Sequence, residues 1–321
     1  MPVPCRPFRF GLVADRAATP RDLSETARRA EAAGISTLLL RDHLNDDPFG
    51  PQLAPLASLA ALATATTTLR LGTLVLANDF RHPAVLAKEL LTLDAFSGGR
   101  LEVGLGAGWL TEEYQRSGIP FDPAPVRIRR LAESLTVLDG LLRGEAVTFR
   151  GVHYEIDALS LFPEPVQRPR PPLVLGGGAR RMLTLAGARA DVVNVMSSSV
   201  GTGTIDHGPA GRSFAAVAER VGWVRDGAGD RFPEIELSLF PDIVLTEAAP
   251  EDAARDLARR DGWHGCSAAD VLDMPSLLIG SHDAVANRLR HLRERLGFSY
   301  IVVGEADFAE VVPIVAMLAG T

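Results

Sequence analysis

The sequence predicts an α/β fold in which eight short parallel strands close into a barrel with helices outside, a (β/α)8 or TIM barrel with insertions. Three observations carry that prediction. Eight apolar, β-prone runs alternate with helical stretches along almost the whole chain. The length of 321 residues exceeds one small core and suits a barrel with insertions. Polar and glycine-rich residues follow the strands directly, where such barrels place their sites.

Residues 8–13 form the first strand. Thr19 and Pro20 open a helix as cap and first helical residue, and Gly34 closes it. Residues 36–40 form the second strand and end in Arg41-Asp42-His43. A proline-containing loop over 45–55 leads into an Ala-rich helix over 56–66. Residues 70–76 read as one unbroken third strand. His82-Pro83 then starts a helix that turns Leu86, Leu90 and Leu93 inward and ends at Ser97-Gly98-Gly99. The fourth strand, 100–105, runs into Gly106-Ala107-Gly108, completing a βαβ unit around which the chain is organised.

After Tyr114 the alternation breaks. A loop over 121–125 precedes an amphipathic helix marked by Ile128, Leu131, Leu135, Leu138 and Leu142. A hairpin over 147–156 and a proline-rich connection over 162–172 follow. Residues 113–171 are too thin in apolar side chains to bury a core, so an insertion within a single domain, 1–321, is expected. The fifth strand, 173–175, leads to Gly176-Gly177-Gly178-Ala179 and a helix. Residues 190–195 form the sixth strand. Residues 197–211, rich in Ser, Gly and Thr, are expected to be a mobile loop and a second insertion. A helix over 212–224, the seventh strand over 236–245 and helices between Pro250 and Leu272 come next. Ser281 caps a helix closed by Gly297; 299–303 is the eighth strand, and 307–318 the last helix.

A net charge of -7 argues against a nucleic-acid partner. Cys5 and Cys266 lie far apart and form neither a disulfide framework nor a metal spacing. That pair, and an opening MPVPCRPFRF without an apolar leader, lead us to expect a cytoplasmic protein. The longest apolar tract, near 53–69, is interrupted by Pro55 and several threonines, so no membrane association is expected. The histidines have no ligand spacing, and no metal is expected. No serine sits in a G-x-S-x-G elbow.

Strand ends supply the candidate site. Asp42-His43 is either a polar pair with His43 moving a proton, or a turn cap beside a packed imidazole. Leu74, Val75, Leu76 and Ala77 are ordinary strand or an apolar backing for a flat ring. Gly106, Ala107 and Gly108 read as a tight turn against a bulky ligand; Trp109 stands where a third glycine would complete a dinucleotide fingerprint. Gly176, Gly177, Gly178 and Ala179 precede a helix, where backbone N–H groups bind phosphate, or make a flexible turn.

The stretch RLGTLVLANDFRHPAVLAKELLTLDAFSGGRLEVGLGAGW, residues 34–43 and 127–151, and PEPVQRPRPPLVLGGG together resemble the luciferase-like family of flavin- and deazaflavin-dependent oxidoreductases. Among its branches the chain looks closest to enzymes using coenzyme F420. The resemblance implies a bacterial luciferase-like barrel, usually dimeric, with a deazaflavin ring at its mouth. It implies a non-prolyl cis peptide joining Leu74 to Val75 behind the ring, with Asp42 and His43 near the ring edge. Gly176, Gly177 and Gly178 would hold the cofactor phosphate. Some sugar-phosphate dehydrogenases of the family carry an acid where Trp109 stands, which leaves His43 as the acid/base candidate, followed by Glu112 and Glu113. The activity implied is hydride transfer between F420 and a small organic substrate. One alternative is an FMN-dependent monooxygenase fed by a partner reductase; another is a non-catalytic flavin-binding protein.

Overall fold

The computed structural model describes residues 6–17, 19–197 and 208–321. The most polar part of the expected mobile loop, 198–207, therefore lies outside the described residues. Two compact units divide the chain: residues 13–32 with 36–176, and residues 1–12, 33–35 and 177–321.

In the first unit the strands Thr37–Leu40, Arg70–Thr73, Leu101–Gly106 and Leu173–Gly177 run parallel as neighbours. Register is set by Thr37 opposite Arg70, Leu71 opposite Leu101, and Val103 opposite Leu173. Thr37–Leu40 and Leu101–Gly106 are buried along their full length, as strands covered on both faces must be. Helix Pro83–Ser97 begins as expected: the His82 ring accepts the Ala84 N–H at 3.3 Å, and Pro83 needs no N–H partner. Its Leu86, Leu90 and Leu91 are at most 1% exposed. Burying each contributes about 1.5–3 kcal/mol. The inserted helix Ala124–Leu142 packs on this helix and buries Leu131, Leu135 and Leu138, and the hairpin Val147–Arg150 with Glu155–Leu159 follows it.

In the second unit Arg9–Val13, Phe298–Gly304, Glu236–Leu239 and Val192–Val195 are neighbours in that order. Leu237 pairs with Phe298 and Val193 with Leu237, in parallel. Four strands in each unit make up the eight of a (β/α)8 fold.

Four expectations are corrected. The third strand is not continuous: it stops at Thr73, the Leu74–Val75 peptide is cis, and pairing resumes at Leu76–Ala77 opposite Leu105 and Gly106. The seventh strand splits at Phe240-Pro241, since Pro lacks the N–H a central strand donates. Its second half, Asp242–Leu245, pairs instead with Leu277–Gly280, a strand the sequence reading missed. Four apolar residues without alternation are not separable from helix by periodicity. These two strands and helices Pro250–Arg260 and Ala268–Asp273 enclose a separate small core around Trp263, Val271, Met274 and Leu277. Finally, a short helix, Thr111–Ser117, lies where the sequence reading placed no regular element.

Candidate active site

The described site in the first unit starts from the end of the second strand. Asp42 is 5% exposed, and its carboxylate is held from two sides. Arg81 donates to both oxygens, at 2.5 and 3.0 Å, and the Ala77 N–H donates to Oδ2 at 3.0 Å. Asp42 thus clamps the segment that follows the Leu74–Val75 peptide. Its neighbour points elsewhere. His43 Nδ1 lies 3.0 Å from Glu113 Oε1 on helix Thr111–Ser117, and the Leu44 and Asn45 N–H groups donate to the same oxygen at 2.6 and 3.4 Å. Glu113 is 3% exposed. Burial alone pushes its carboxyl upward, but the bonds from His43, Leu44 and Asn45 outweigh it and hold the pKa below the usual carboxylate range. The His43 ring is flanked by Phe49, centroids 4.7 Å apart, and by Trp109 edge-on at 6.0 Å. The Arg41 guanidinium covers Phe49 and pairs with Asp15 at 3.4 Å.

The Gly106-Ala107-Gly108 turn needs its glycines, but for the protein's own side chains. A Cβ on Gly106 would lie 2.7 Å from Val75 Cγ2, and one on Gly108, whose φ is +73°, would lie 1.7 Å from the Tyr114 hydroxyl. Val75 and Tyr114 thus occupy the space into which a side chain at either position would point. Arg127 from the inserted helix secures the turn, donating to the Ala107 and Gly108 carbonyls at 3.1 and 3.2 Å. Asp79 accepts from Tyr114 at 3.3 Å and pairs with Arg130 at 2.9 Å. Leu74, Val75 and Ala77 stay partly exposed at the end of the broken strand, whereas Leu76 is fully buried in pairing with Leu105.

The triple glycine lies differently from expectation too. Gly176 and Gly177 belong to the fifth strand, so the turn shrinks to Gly178 and Ala179. Gly177 accepts the Met196 N–H at 2.9 Å, and Gly178 accepts from Arg220 Nε at 3.0 Å. Helix Arg180–Arg189 starts at Ala179 without a side-chain cap, leaving its first-turn N–H groups without that partner.

Sequence reasoning named Glu112 and Glu113 without separating them. The helix does so: Glu112 pairs with Arg116 on the outer face, and Glu113 turns inward. It missed Arg81, Arg127 and Arg220; no motif marks an arginine whose partners lie tens of residues away.

The family model of luciferase-like monooxygenases matches residues 5–222. An F420-dependent glucose-6-phosphate dehydrogenase of Microbacterium testaceum is 32% identical over 191 residues, 58% of this chain and 55% of that protein. An FMNH(2)-dependent dimethylsulfone monooxygenase of Pseudomonas putida is 34% identical over 131 residues, 41% of this chain and 36% of that protein. The chain thus spans about half the length, or less, of these curated relatives. The coenzyme F420 dependent tetrahydromethanopterin reductase of Methanopyrus kandleri superposes with a TM-score of 0.72 at 19% identity, covering 99% of each chain, and shares the barrel fold. With the family model covering well over half of its length, the chain belongs to the luciferase-like monooxygenase family.

Proposed function

We propose that the protein is an F420-dependent oxidoreductase that moves a hydride between the deazaflavin and a small organic substrate. The observation that carries this reading is the His43–Glu113 pair, a buried carboxylate on an imidazole at a strand end, in a chain whose relatives include F420-dependent dehydrogenases. Hydride transfer to or from an alcohol or carbonyl needs a partner for one proton, and an imidazole can be that partner near neutral pH.

The residues present fit such a cofactor. Leu74 and Val75 offer an apolar, partly exposed strand end suited to a flat ring, with Ala77 beside them. Gly178 and Ala179, following Gly176 and Gly177, precede a helix whose uncapped first turn suits a phosphate. Asp42 acts through the clamp on Arg81 and Ala77 rather than by direct contact. Leu76, Gly106, Ala107 and Gly108 support the ring's backing from behind. Bound deazaflavin supplies the two-electron chemistry; orientation, water exclusion and the proton fall to the chain.

His43→Ala should lower turnover by about 10²–10⁴-fold while deazaflavin binding is retained. Unchanged turnover would remove His43 from the mechanism. The FMN monooxygenase reading, with a reductase supplying reduced flavin, is favoured by the Pseudomonas putida relative. Titrating both cofactors while following Trp fluorescence separates the two: tight FMN binding without deazaflavin binding reverses the order. Cofactor-dependent turnover of any substrate eliminates a purely flavin-binding role.

Two further parts of the reading are proposals of the same kind. A second copy of this chain would cover Val85 and Phe96, 58% and 62% exposed on helix Pro83–Ser97, which sedimentation equilibrium tests directly. Among the described residues no helix is long and apolar enough to cross a membrane. A cytoplasmic location is proposed from the two widely spaced cysteines, which suit a reducing compartment.

A further inference from the structure

We infer that Glu113 is the positioning residue of this site: it holds His43 in the tautomer with hydrogen on Nδ1, so that Nε2 is the atom that exchanges a proton with the substrate. The inference rests on the oxidoreductase reading above but is carried by geometry alone. Glu113 Oε1 receives three groups, and two of them, the Leu44 and Asn45 N–H, can only donate. An ionised carboxylate only accepts, so the third contact, 3.0 Å from His43 Nδ1, requires the hydrogen to sit on the ring. Burial of the carboxylate removes water as a competing donor. Phe49 and Trp109 limit rotation of the ring from two other sides. Glu113 Oε1 is therefore committed to His43 and to the backbone of residues 44–45.

The charged groups on neighbouring elements are engaged elsewhere. Asp42 is bound by Arg81 and the Ala77 N–H, Arg41 pairs with Asp15 and covers Phe49, and Glu112 pairs with Arg116. Glu113 is thus the carboxylate in hydrogen-bond contact with His43. When an alcohol is oxidised, its O–H bond breaks and an N–H bond forms at Nε2. No electrons are exchanged in that step; the hydride half belongs to the deazaflavin of the reading above. The imidazolium that results is matched by the carboxylate on its opposite nitrogen. In the reducing direction the same proton returns to the nascent alkoxide.

The test uses full-length protein labelled with ¹⁵N-histidine and no cofactor, so it does not depend on the cofactor assignment. Two-dimensional ¹⁵N–¹H correlation spectra assign the tautomer of His43, identified by its loss in His43→Ala. We expect Nδ1–H in wild type, a mixture in Glu113→Gln, and restoration in Glu113→Asp if the shorter carboxylate still reaches. With deazaflavin and a turned-over substrate, kcat should fall about 10–100-fold at unchanged KM, with the acid limb of the profile displaced. A wild-type His43 carrying its hydrogen on Nε2, or a Glu113→Gln variant whose His43 keeps the wild-type tautomer unmixed, overturns the inference. Absent deazaflavin binding with the tautomer as expected overturns the cofactor reading instead. Should Glu113→Gln fail to fold, the wild-type tautomer decides alone.

Discussion

The clamp made by Asp42 can be dissected by a double-mutant cycle with Arg81. Their side chains are 4% and 22% exposed, so the pair is buried on the acid side and partly wet on the basic side. Removing one partner of a buried pair costs about 3–5 kcal/mol because the other charge is left without compensation. Arg81 keeps some solvent, so Asp42→Asn belongs near the lower end, about 3 kcal/mol. Arg81→Met strands the Asp42 carboxylate and should cost about the same. In Asp42→Asn/Arg81→Met no charge is stranded, and the carboxamide oxygen introduced in place of the carboxylate can still accept from the Ala77 N–H. The double variant should therefore lose no more than either single variant, at most about 3 kcal/mol against an additive sum of about 6, a coupling of at least about 3 kcal/mol. Unfolding entropy of about 2.1 cal/mol/K per residue over 321 residues makes about 3 kcal/mol equal to about 4 °C in Tm. Urea unfolding of the four proteins supplies the free energies, with calorimetry for Tm. Additivity within about 0.5 kcal/mol would show that the two side chains do not act as a unit and would refute the clamp.

Glu31 offers a pH test. Burial raises its carboxyl, but bonds from the Thr68, Leu69 and Thr67 N–H groups and the Thr68 hydroxyl outweigh that and bring the pKa down to about 2. A depressed folded-state pKa contributes stability above the unfolded value near 4.5 that is lost as pH falls toward about 2, so the wild-type stability curve should steepen across that window and flatten in Glu31→Gln. Gly108→Ala should disrupt the turn, since the new Cβ meets the Tyr114 hydroxyl at 1.7 Å and φ is +73°; Tyr114→Phe in the same chain should recover only part of the loss in thermal unfolding. Trp263→Ala should cost about 3–5 kcal/mol in urea unfolding by opening a cavity in the small second core. A loss under about 1 kcal/mol would show that this core tolerates the truncation.

The pattern of the sequence alone was enough to count the eight strands of the (β/α)8 fold and to place most helices within a few residues. That follows because burial on both faces demands apolar runs, and because caps such as His82-Pro83, Ser281 and Gly297 act locally. Which side chains a glycine makes room for was not legible. That Gly106 and Gly108 leave room for Val75 and Tyr114 is seen only once those side chains are placed against them. Glu112 and Glu113 are equivalent as text, and only the helix phase separates the exposed one from the partner of His43. The Asp42–Arg81 clamp joins residues 39 apart, and Arg127 reaches the 106–108 turn from a different helix. Such contacts depend on where distant backbones come together, information that propensity and periodicity do not contain.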